Sequence, residues 1–313
     1  MTVTRVAIVG FGKIAQDQHV PSIAGNPAFS LAAVVSARGA APAGVPVFRT
    51  LAELAASNVA IDAIAVCTPP QVRYATAREA LALGKHVMLE KPPAATLAEL
   101  ADLEAFAREK RRVLFATWHA QYNAAVDEAK RRLAGKRVTR LQVNWKEDVR
   151  RWHPGQAWIW KAGGFGVFDP GINALSIVTK IMPSPVFVRA ADLEFPENCD
   201  APIAARLTFA TADTDTGLAA DFDWRQTGPQ TWEMEIATAD GGELKLENGG
   251  ARLLVNGKPV VDKPMREYEE IYARFAEILA AGESDVDVAP LRLVADAFLL
   301  GRRMTTEAFI EQG

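Results

Sequence analysis

A glycine-rich turn near the start of the chain is the first pattern that could do chemistry. The run Gly10-Phe11-Gly12-Lys13-Ile14-Ala15 follows a short β-branched segment and opens a stretch with helical spacing. In that context the first glycine permits a tight turn. The second lets the backbone approach a pyrophosphate, whose charge is stabilised at the helix N-terminus. A plain glycine turn is the alternative, but the strand before the run and the βα units after it favour a dinucleotide-binding loop.

The end of the second predicted strand indicates which dinucleotide would bind. About 24 residues after Gly12 the chain reads Val35-Ser36-Ala37-Arg38, where an NAD-selective enzyme usually carries an acidic residue. A hydroxyl and a guanidinium suit a 2′-phosphate, which a carboxylate would repel. We therefore predict that the chain uses NADP, with NAD also possible. The alternative is that Arg38 is a solvated loop residue.

Two further segments follow predicted parallel strands. They are Cys67-Thr68-Pro69-Pro70 and Glu90-Lys91-Pro92-Pro93. Ligands bind beyond the carboxyl ends of the strands in open α/β sheets, so topology puts Lys91 at the cofactor edge. A strand-end lysine is ordinarily solvated, and only its occurrence with the glycine loop favours a functional role. The predicted cofactor contacts are Gly10, Gly12, Lys13, Ile14, Ser36, Ala37, Arg38, Thr68, Pro69, Pro70, Glu90 and Lys91.

The elements that must position these residues alternate between short apolar strands and helical stretches, as βαβ units do. The predicted strands are Val6–Val9, Ala32–Val35, Ala63–Cys67, Val87–Leu89 and Val113–Ala116. Helices are predicted over Val72–Leu83 and Leu97–Arg108, with Gly84 as the C-cap of the first. The first part of the chain is thus predicted to form a parallel Rossmann sheet.

The pattern changes after about Gln121 to longer alternating strands. They are predicted at Leu141–Trp145, Ala205–Phe209, Leu218–Phe222 and Trp232–Thr238, and Asn256-Gly257 suits a type I′ hairpin. Helices are predicted near Glu267–Ala281 and Leu291–Glu307. The fold class is therefore α/β, a Rossmann domain followed by an α+β domain with a large, mostly antiparallel open sheet. We expect residues 1–120 to bind NAD(P) and residues 121–313 to bind substrate and form the oligomer contact.

Composition narrows the classes of partner. A net charge of −3 and a pI of about 5.9 do not favour nucleic acid, and no apolar run is long enough to span a membrane. The two cysteines form no CxxC pair, and the four histidines show no metal-ligand spacing, so no metal is expected. We expect a soluble, cytoplasmic protein. An apolar sheet face in the second domain would need a cover, so a homodimer or homotetramer is expected.

Taken together, the glycine loop, the segment ending in Pro70 and Glu90-Lys91-Pro92 resemble the Gfo/Idh/MocA oxidoreductase family. The resemblance covers essentially the whole chain. In the second half, the stretch from Gly163 to Asn173 resembles the family's glycine-rich run followed by D-x-x-x-H. Here Asn173 stands where many relatives have His, and an amide cannot accept a proton at neutral pH.

At closer range three stretches resemble the bacterial L-arabinose and D-galactose 1-dehydrogenases of this family. They are Phe115–His119, Trp145–Gln156 and Phe168–Ile177. The resemblance implies oxidation of an aldopyranose at its anomeric carbon to a lactone, without choosing between the sugars. Other sugar or polyol dehydrogenases of the family and a non-catalytic regulator that senses a sugar or a dinucleotide are the alternatives.

Oxidising a hemiacetal needs hydride departure from C1 and proton removal from O1, so a base must lie within hydrogen-bond reach of O1. The candidates are Lys91 and Asp169, and either could be the proton acceptor. Sugar recognition needs polar groups for hydroxyls and flat apolar surfaces for C–H faces. The predicted substrate contacts are His119, Glu147, Trp152, Asn173 and Trp232. Each could instead be a structural residue, and the resemblance favours the functional reading.

Overall fold

The computed structural model describes residues 3–311. The chain forms two compact units, Met1–His119 with Glu267–Val288, and Ala120–Arg266 with Ala289–Gly313. The helices are α1 (Val20–Ala24), α2 (Leu51–Ala56), α3 (Pro70–Ala82), α4 (Leu97–Lys110), α5 (Val126–Leu133), α6 (Val149–Trp152), α7 (Phe168–Ile181), α8 (Glu267–Ala281) and α9 (Ala289–Leu300). Strands β1 to β6 are Thr4–Val9, Phe29–Val35, Val47–Phe48, Ala63–Val66, His86–Leu89 and Leu114–Ala116. Strands β7 to β15 are Val138–Lys146, Phe187–Pro196, Ala204–Ala210, Leu218–Asp223, Thr231–Thr238, Glu243–Glu247, Arg252–Val255, Lys258–Asp262 and Gly301–Thr306.

The first unit is built on a parallel six-stranded sheet in the order β3-β2-β1-β4-β5-β6. The strand order reverses between β1 and β4, which is the switch point where open α/β sheets bind ligands. The predicted strands and helices of this unit are confirmed within a few residues. The short elements β3 and α2 were not predicted, because Val47–Phe48 is too brief to carry a periodicity.

Helix α8 belongs to this first unit, although the sequence assigns residues 121–313 to a single second domain. Its buried face carries Tyr272 and Phe275, whose rings lie 5.2 and 5.7 Å from that of Phe29. Phe275 also stacks on Phe115 at 5.9 Å. The return of α8 therefore completes the apolar core beside β2 and β6. The spacing of residues along the chain cannot show that a helix from the end of the sequence packs in the first unit.

The second unit contains a nine-stranded sheet in the order β14-β13-β12-β11-β7-β10-β9-β8-β15. Its pairings are antiparallel except for β7 with β10 and β8 with β15, so the predicted, mostly antiparallel sheet is confirmed. Asn256 and Gly257 have φ values of 48° and 74° and join β13 to β14, as the hairpin prediction required. Helices α5, α7 and α9 pack on one face of this sheet.

The prediction of a final helix over Leu291–Glu307 is wrong in its second half. Helix α9 ends at Leu300, and Gly301–Thr306 forms β15, a parallel edge strand beside β8. A Cβ on Gly301 would lie 2.5 Å from the carbonyl oxygen of Ala297 and 2.6 Å from the side chain of Leu193. Glycine is therefore needed where the chain leaves the helix and joins the sheet.

The face of this sheet that points away from the helices is polar, which differs from the apolar face that the sequence analysis assumed. Along β7, residues Leu141, Val143 and Trp145 are buried, and the residues between them point outward. Side chains on the outer face form ion pairs, namely Lys146–Asp221, Arg140–Glu235 and Lys245–Glu233. The need to cover apolar surface therefore gives no argument for an oligomer. Between residues 3 and 311, no helix combines the length and apolar character needed to cross a bilayer.

Candidate active site

The glycine turn follows β1 at the switch point of the first sheet. Gly10 has a φ of 91°, and a Cβ there would lie 2.9 Å from the backbone nitrogen of Thr68. Glycine is thus imposed at position 10 by the neighbouring strand end. At Gly12, by contrast, no atom of residues 3–311 other than those of Gly12 and its two chain neighbours lies within 4 Å of the position that a Cβ would take. The protein itself does not require glycine at position 12, and the open space before the helix suits a dinucleotide phosphate.

A π-helical turn, Ala15–His19, follows this loop and runs into α1. Ala15 is fully buried, so a small side chain at the third position of the glycine pattern lets the helix pack on the sheet. Lys13 is exposed and pairs with Asp17, and Ile14 is half-buried. The predicted dinucleotide loop thus has the strand–turn–helix form that its sequence required.

The residues predicted to select the cofactor follow β2. Ser36 is buried, whereas Ala37 and Arg38 are exposed. A second guanidinium is present here, because Arg49 donates from Nη1 to the carbonyl oxygen of Ala37 at 3.0 Å. Arg49 follows the short strand β3, and no motif in the sequence indicated it. This edge of the sheet therefore carries two cations, which suits a phosphorylated ribose.

Arg73 joins the two strand ends that were predicted to border the cofactor. It lies on α3, is 4% exposed, and donates from Nη1 to the backbone oxygen of Glu90 at 2.7 Å. The same guanidinium donates to the carbonyl oxygens of Pro92 and Thr68. One buried cation therefore positions both the segment Thr68-Pro69-Pro70 and the segment around Lys91, whose bond to Pro92 is cis.

The carboxylate of Glu90, next to Lys91, is the centre of a buried hydrogen-bond network. Its Oε1 accepts from the hydroxyl of Tyr268 at 2.9 Å and lies 3.0 Å from Nε2 of His19. Its Oε2 accepts from the backbone N–H of Lys91 at 3.2 Å. Nδ1 of His19 lies 2.9 Å from the hydroxyl of Tyr272. This network fixes the backbone that carries Lys91.

The network is charged. Burial raises the pKa of Glu90, but the hydrogen bond and charge of His19 outweigh burial and lower that pKa to about 2. Burial lowers the pKa of His19, whereas Cys67, Tyr272 and Glu90 raise it, and the result lies well above the usual value. Burial and the adjacent carboxylate raise the pKa of Tyr268 well above its usual value, so Tyr268 stays a donor. The directions of these pKa shifts favour an ionised Glu90 paired with a protonated His19, beside the backbone of Lys91.

His119, predicted to contact substrate, follows β6 in this same unit. Its Nδ1 lies 2.8 Å from Oε2 of Glu267, and its ring stacks on Tyr268 at 5.6 Å. Burial lowers the pKa of His119, but the charge and the hydrogen bond of Glu267 raise it, and the net shift is upward. Lys91 and His119 thus belong to the first unit, and the remaining predicted substrate and proton-transfer residues belong to the second.

In the second unit, Asp169 and Asn173 lie four residues apart on the first two turns of α7, on one face of the helix. Asp169 is 3% exposed, and Asn173 is half-buried. The helix N-terminus favours the ionised form of a carboxylate in its first turn. Oδ2 of Asp169 lies 3.3 Å from Nε2 of His153, a residue that the sequence analysis did not single out for function.

Glu147 holds two tryptophans. Its Oε1 accepts from Nε1 of Trp224 at 3.1 Å, and its Oε2 accepts from Nε1 of Trp232 at 2.9 Å. Trp152 lies 5.6 Å from Trp232, and His153 lies 5.2 Å from Trp224, measured between ring centroids. These contacts link Glu147, Trp152 and Trp232 to Asp169 through His153. The structure therefore brings most of the predicted substrate set together, with Glu147 orienting indoles.

Several residues of this site escaped the sequence analysis, although two gave a signal. Arg73 occupies the apolar face of α3 together with Pro70, Ala77 and Ala80, and a charge at such a position implies buried partners. His19 follows Ala15 by four residues, so helical spacing puts this polar side chain on the same buried face as Ala15. Tyr268 and Tyr272 gave no signal, because tyrosines at helical spacing are usually core. Among the residues that the structure describes, no three His, Cys, Asp or Glu side chains are grouped as metal ligands.

Comparison with known proteins agrees with this geometry. Residues 4–117 match the oxidoreductase family described as GFO_IDH_MocA, with an NAD-binding Rossmann fold. Galactose 1-dehydrogenase of Pseudomonas fluorescens is 46% identical to this chain over 98% of its length and 99% of the relative. The chain therefore belongs to the Gfo/Idh/MocA oxidoreductase family. It is an NAD(P)-dependent oxidoreductase that acts on a CH–OH group.

Solved structures extend the comparison. The crystal structure of the D-galactose-1-dehydrogenase protein from Rhizobium etli is 55% identical, with a TM-score of 0.93 and 99% of each chain covered. A 3-ketoreductase from Actinomadura kijaniata, solved with NADP, is 18% identical, with a TM-score of 0.84 over 97% of this chain and 100% of that chain. The second likeness shows a shared fold alone.

Proposed function

We propose that this protein is an aldose 1-dehydrogenase that oxidises the anomeric carbon of D-galactose, L-arabinose or both to the aldonolactone. The observation that carries the proposal is the end-to-end similarity to galactose 1-dehydrogenases from two organisms. The grouping of indole rings, a carboxylate and an amide in the second unit supports a sugar as the substrate, because sugars offer both apolar C–H faces and hydroxyls.

In this proposal the first unit binds the cofactor. The residues that would hold NADP or NAD are those of the glycine turn, Ser36 to Arg38, and the strand ends that Arg73 ties together. When bound, the oxidised nicotinamide supplies an acceptor for the hydride that leaves C1. The exposed guanidinium of Arg38 and the nearby Arg49 favour NADP.

Proton removal from O1 is assigned to Lys91 and Asp169. Support for Lys91 comes from its place at the end of β5, where Arg73 and Glu90 both fix its backbone. Asp169 is a buried carboxylate that an imidazole contacts, which suits proton acceptance. Asn173 then orients a hydroxyl without titrating, and Trp152 and Trp232 offer apolar rings.

The two candidate sugars share their configuration from C2 to C4 and differ by a hydroxymethyl group at C5. A pocket that reads C2 to C4 accepts both. Rejecting one small group by size alone contributes only about 1–3 kcal/mol. We therefore expect both sugars to be substrates, with kcat/KM values within about two orders of magnitude of each other.

The test is a panel of D-galactose, L-arabinose and D-glucose, each offered with NADP and with NAD. The absorbance of the reduced nicotinamide gives the rate, and NMR of the product identifies the lactone. We expect turnover of the first two sugars and a much lower kcat/KM for D-glucose, which differs from D-galactose at C4. Sugar binding without any absorbance change would contradict the proposal and indicate a sensor.

The proposal also keeps three predictions from the sequence: a dinucleotide-binding domain over residues 1–120, a substrate-binding and oligomerisation domain over residues 121–313, and a cytoplasmic location. A homodimer or homotetramer likewise stays a prediction from the sequence, to which the polar outer face of the second sheet adds no support. Light scattering after size-exclusion chromatography measures the subunit number directly. A monomeric mass at micromolar concentration would rule out the oligomer.

A further inference from the structure

The side chain of Gln156 defines which nitrogen of His153 carries a proton. Nε1 of Trp158 lies 3.2 Å from Oε1 of Gln156, and Nδ1 of His153 lies 3.4 Å from the same oxygen. An indole N–H can only donate, so the amide atom that it contacts must be the oxygen. The same oxygen cannot donate to His153. Nδ1 of His153 must therefore carry a hydrogen and donate it to Gln156.

The other ring nitrogen faces the carboxylate of Asp169. Nε2 of His153 lies 3.3 Å from Oδ2 of Asp169. With Nδ1 protonated, a neutral imidazole would turn the lone pair of Nε2 toward an ionised carboxylate, which is repulsive. The contact is favourable when a proton lies between the two atoms, carried either by Nε2 or by Oδ2. The pair is therefore arranged to exchange a proton.

Burial separates the roles of the two partners. The side chain of Asp169 is 4% exposed, whereas that of His153 is 18% exposed. A carboxylate so deeply buried exchanges protons with bulk water slowly unless a neighbour carries them outward. His153 also contacts the ring of Trp224 at 5.2 Å, and Trp224 in turn bonds to Glu147. Packing thus holds the imidazole in place beside Asp169.

We propose that His153 receives the proton that Asp169 takes from O1 of the sugar and passes it to solvent, with Gln156 fixing the tautomer. This inference rests on the proposed aldose oxidation and on Asp169 as the proton acceptor. The O1–H bond breaks, the proton goes to Asp169, and the electron pair of the C1–H bond leaves as hydride to oxidised nicotinamide. The proton on Asp169 then moves to Nε2 of His153, directly if the ring is neutral. If the ring is already an imidazolium, Nε2 first releases its proton to water, so that Nδ1 keeps its hydrogen bond to Gln156 and Nε2 can accept the proton of Asp169.

The kinetic test compares the steady-state kcat of His153→Ala with that of the wild-type enzyme, followed by nicotinamide absorbance, because Asp169 must lose its proton before each new turnover. We expect the rate to fall about 100-fold, at the low end of what a positioned acid–base group contributes. Added imidazole at tens of millimolar should raise the rate of the variant about tenfold or more, because it can supply the missing ring. The same imidazole should leave the wild type unchanged. A lost structural contact would not be rescued in this way.

A matched pair of glutamine variants tests the tautomer. Gln156→Leu removes the acceptor for Nδ1, whereas Gln142→Leu removes a half-buried amide on the outward face of β7. We expect the first to lower steady-state kcat about tenfold, the scale of one hydrogen bond, and the second to leave kcat unchanged. Circular dichroism and melting curves verify that both variants are folded.

A readout that needs neither cofactor nor sugar is the NMR titration of the histidine rings. The chain has four histidines, so His153→Ala identifies the signal of His153 by its loss. In Asp169→Asn the midpoint of the His153 titration should move to lower pH, because the amide no longer stabilises the imidazolium.

These experiments distinguish failure of the proton route from failure of the proposed function. If the wild type oxidises aldoses but imidazole fails to rescue His153→Ala, or the His153 titration is the same in Asp169→Asn, the proton route is overturned and the proposed function stands. If the wild type oxidises no aldose, the proposed function fails, and with it the route from O1, even where NMR shows coupling between the two side chains.

Discussion

The buried pair of His19 and Glu90 gives the first unit a pH-dependent stability whose sign and size follow from the structure. The pKa of Glu90 falls from 4.5 to about 2 on folding, and the side chain is fully enclosed, so solvent screens this shift little. One pKa unit corresponds to about 1.4 kcal/mol, so ionised Glu90 contributes on the order of 3 kcal/mol. Because the folded-state pKa is lowered, this contribution is present above pH 4.5 and is lost as the pH falls toward 2.

His19 acts in the opposite direction. Its folded-state pKa is raised above 6.5, so its contribution is fully present below pH 6.5 and is lost as the pH rises through the folded-state pKa. The two windows overlap between pH 4.5 and 6.5, where the pair should stabilise the unit most. Above this range we expect the wild type to lose about 1.4 kcal/mol of stability per pH unit until His19 deprotonates in the folded state.

Glu90→Gln is the informative perturbation, because it keeps the shape and removes the charge. The assay is hydrogen exchange of peptides that span β5, corrected for the intrinsic pH dependence of exchange. We expect the variant to lose the decline above pH 6.5 and to open more easily near pH 6, by on the order of 3 kcal/mol. Asp102→Asn is the matched control, since that carboxylate accepts from Tyr74 at 2.8 Å but its side chain is 45% exposed. Parallel pH curves for the wild type and Glu90→Gln would show that the charge of Glu90 does not stabilise the first unit.

Three further predictions concern the site itself. Arg38→Ala should lower kcat/KM with NADP about 10- to 100-fold, the scale of one charge-assisted hydrogen bond, and spare the NAD value; an unchanged NADP value would contradict the selectivity assignment. Lys91→Met should lower kcat at least about 100-fold while cofactor affinity, measured by calorimetry, changes little; near-normal kcat would remove Lys91 from the mechanism. Glu147→Gln leaves one of the two indoles, Trp224 or Trp232, facing an amide NH2 instead of an acceptor. The variant should lose about 1–3 kcal/mol of unfolding free energy and show a higher sugar KM, and unchanged urea unfolding would contradict this account.

The local parts of the fold were predictable from the sequence. The glycine turn, the parallel strands and the Asn256-Gly257 hairpin depend on neighbouring residues, whose types alone specify the backbone. The end of α9 was missed because Leu300 and Gly301 continue an apolar pattern. A side chain at Gly301 is excluded by the carbonyl oxygen of Ala297 and by Leu193, and the contact with Leu193, over a hundred positions earlier, has no counterpart in the local pattern.

For the site, the sequence identified residues that motifs and topology mark, but not the buried partners that surround them. Lys91 and Asp169 could be singled out by motif and topology. The buried hydrogen-bond network of Glu90 could not be predicted, because Glu90 contacts Tyr268 across 178 positions of sequence, and no spacing rule connects the two residues. His153 was visible only as part of a longer resemblance. Its contact with Asp169 depends on how the segment after α6 meets the start of α7.

Transfer of deuterium from the anomeric carbon to the cofactor shows whether this protein oxidises aldoses at C1. The wild-type protein is mixed with oxidised NADP and D-galactose deuterated at C1, and the reduced cofactor is weighed by mass spectrometry. We expect reduced cofactor that carries one deuterium, together with galactonolactone as the product. Reduced cofactor without the label, or no reduction at all, would contradict oxidation at the anomeric carbon.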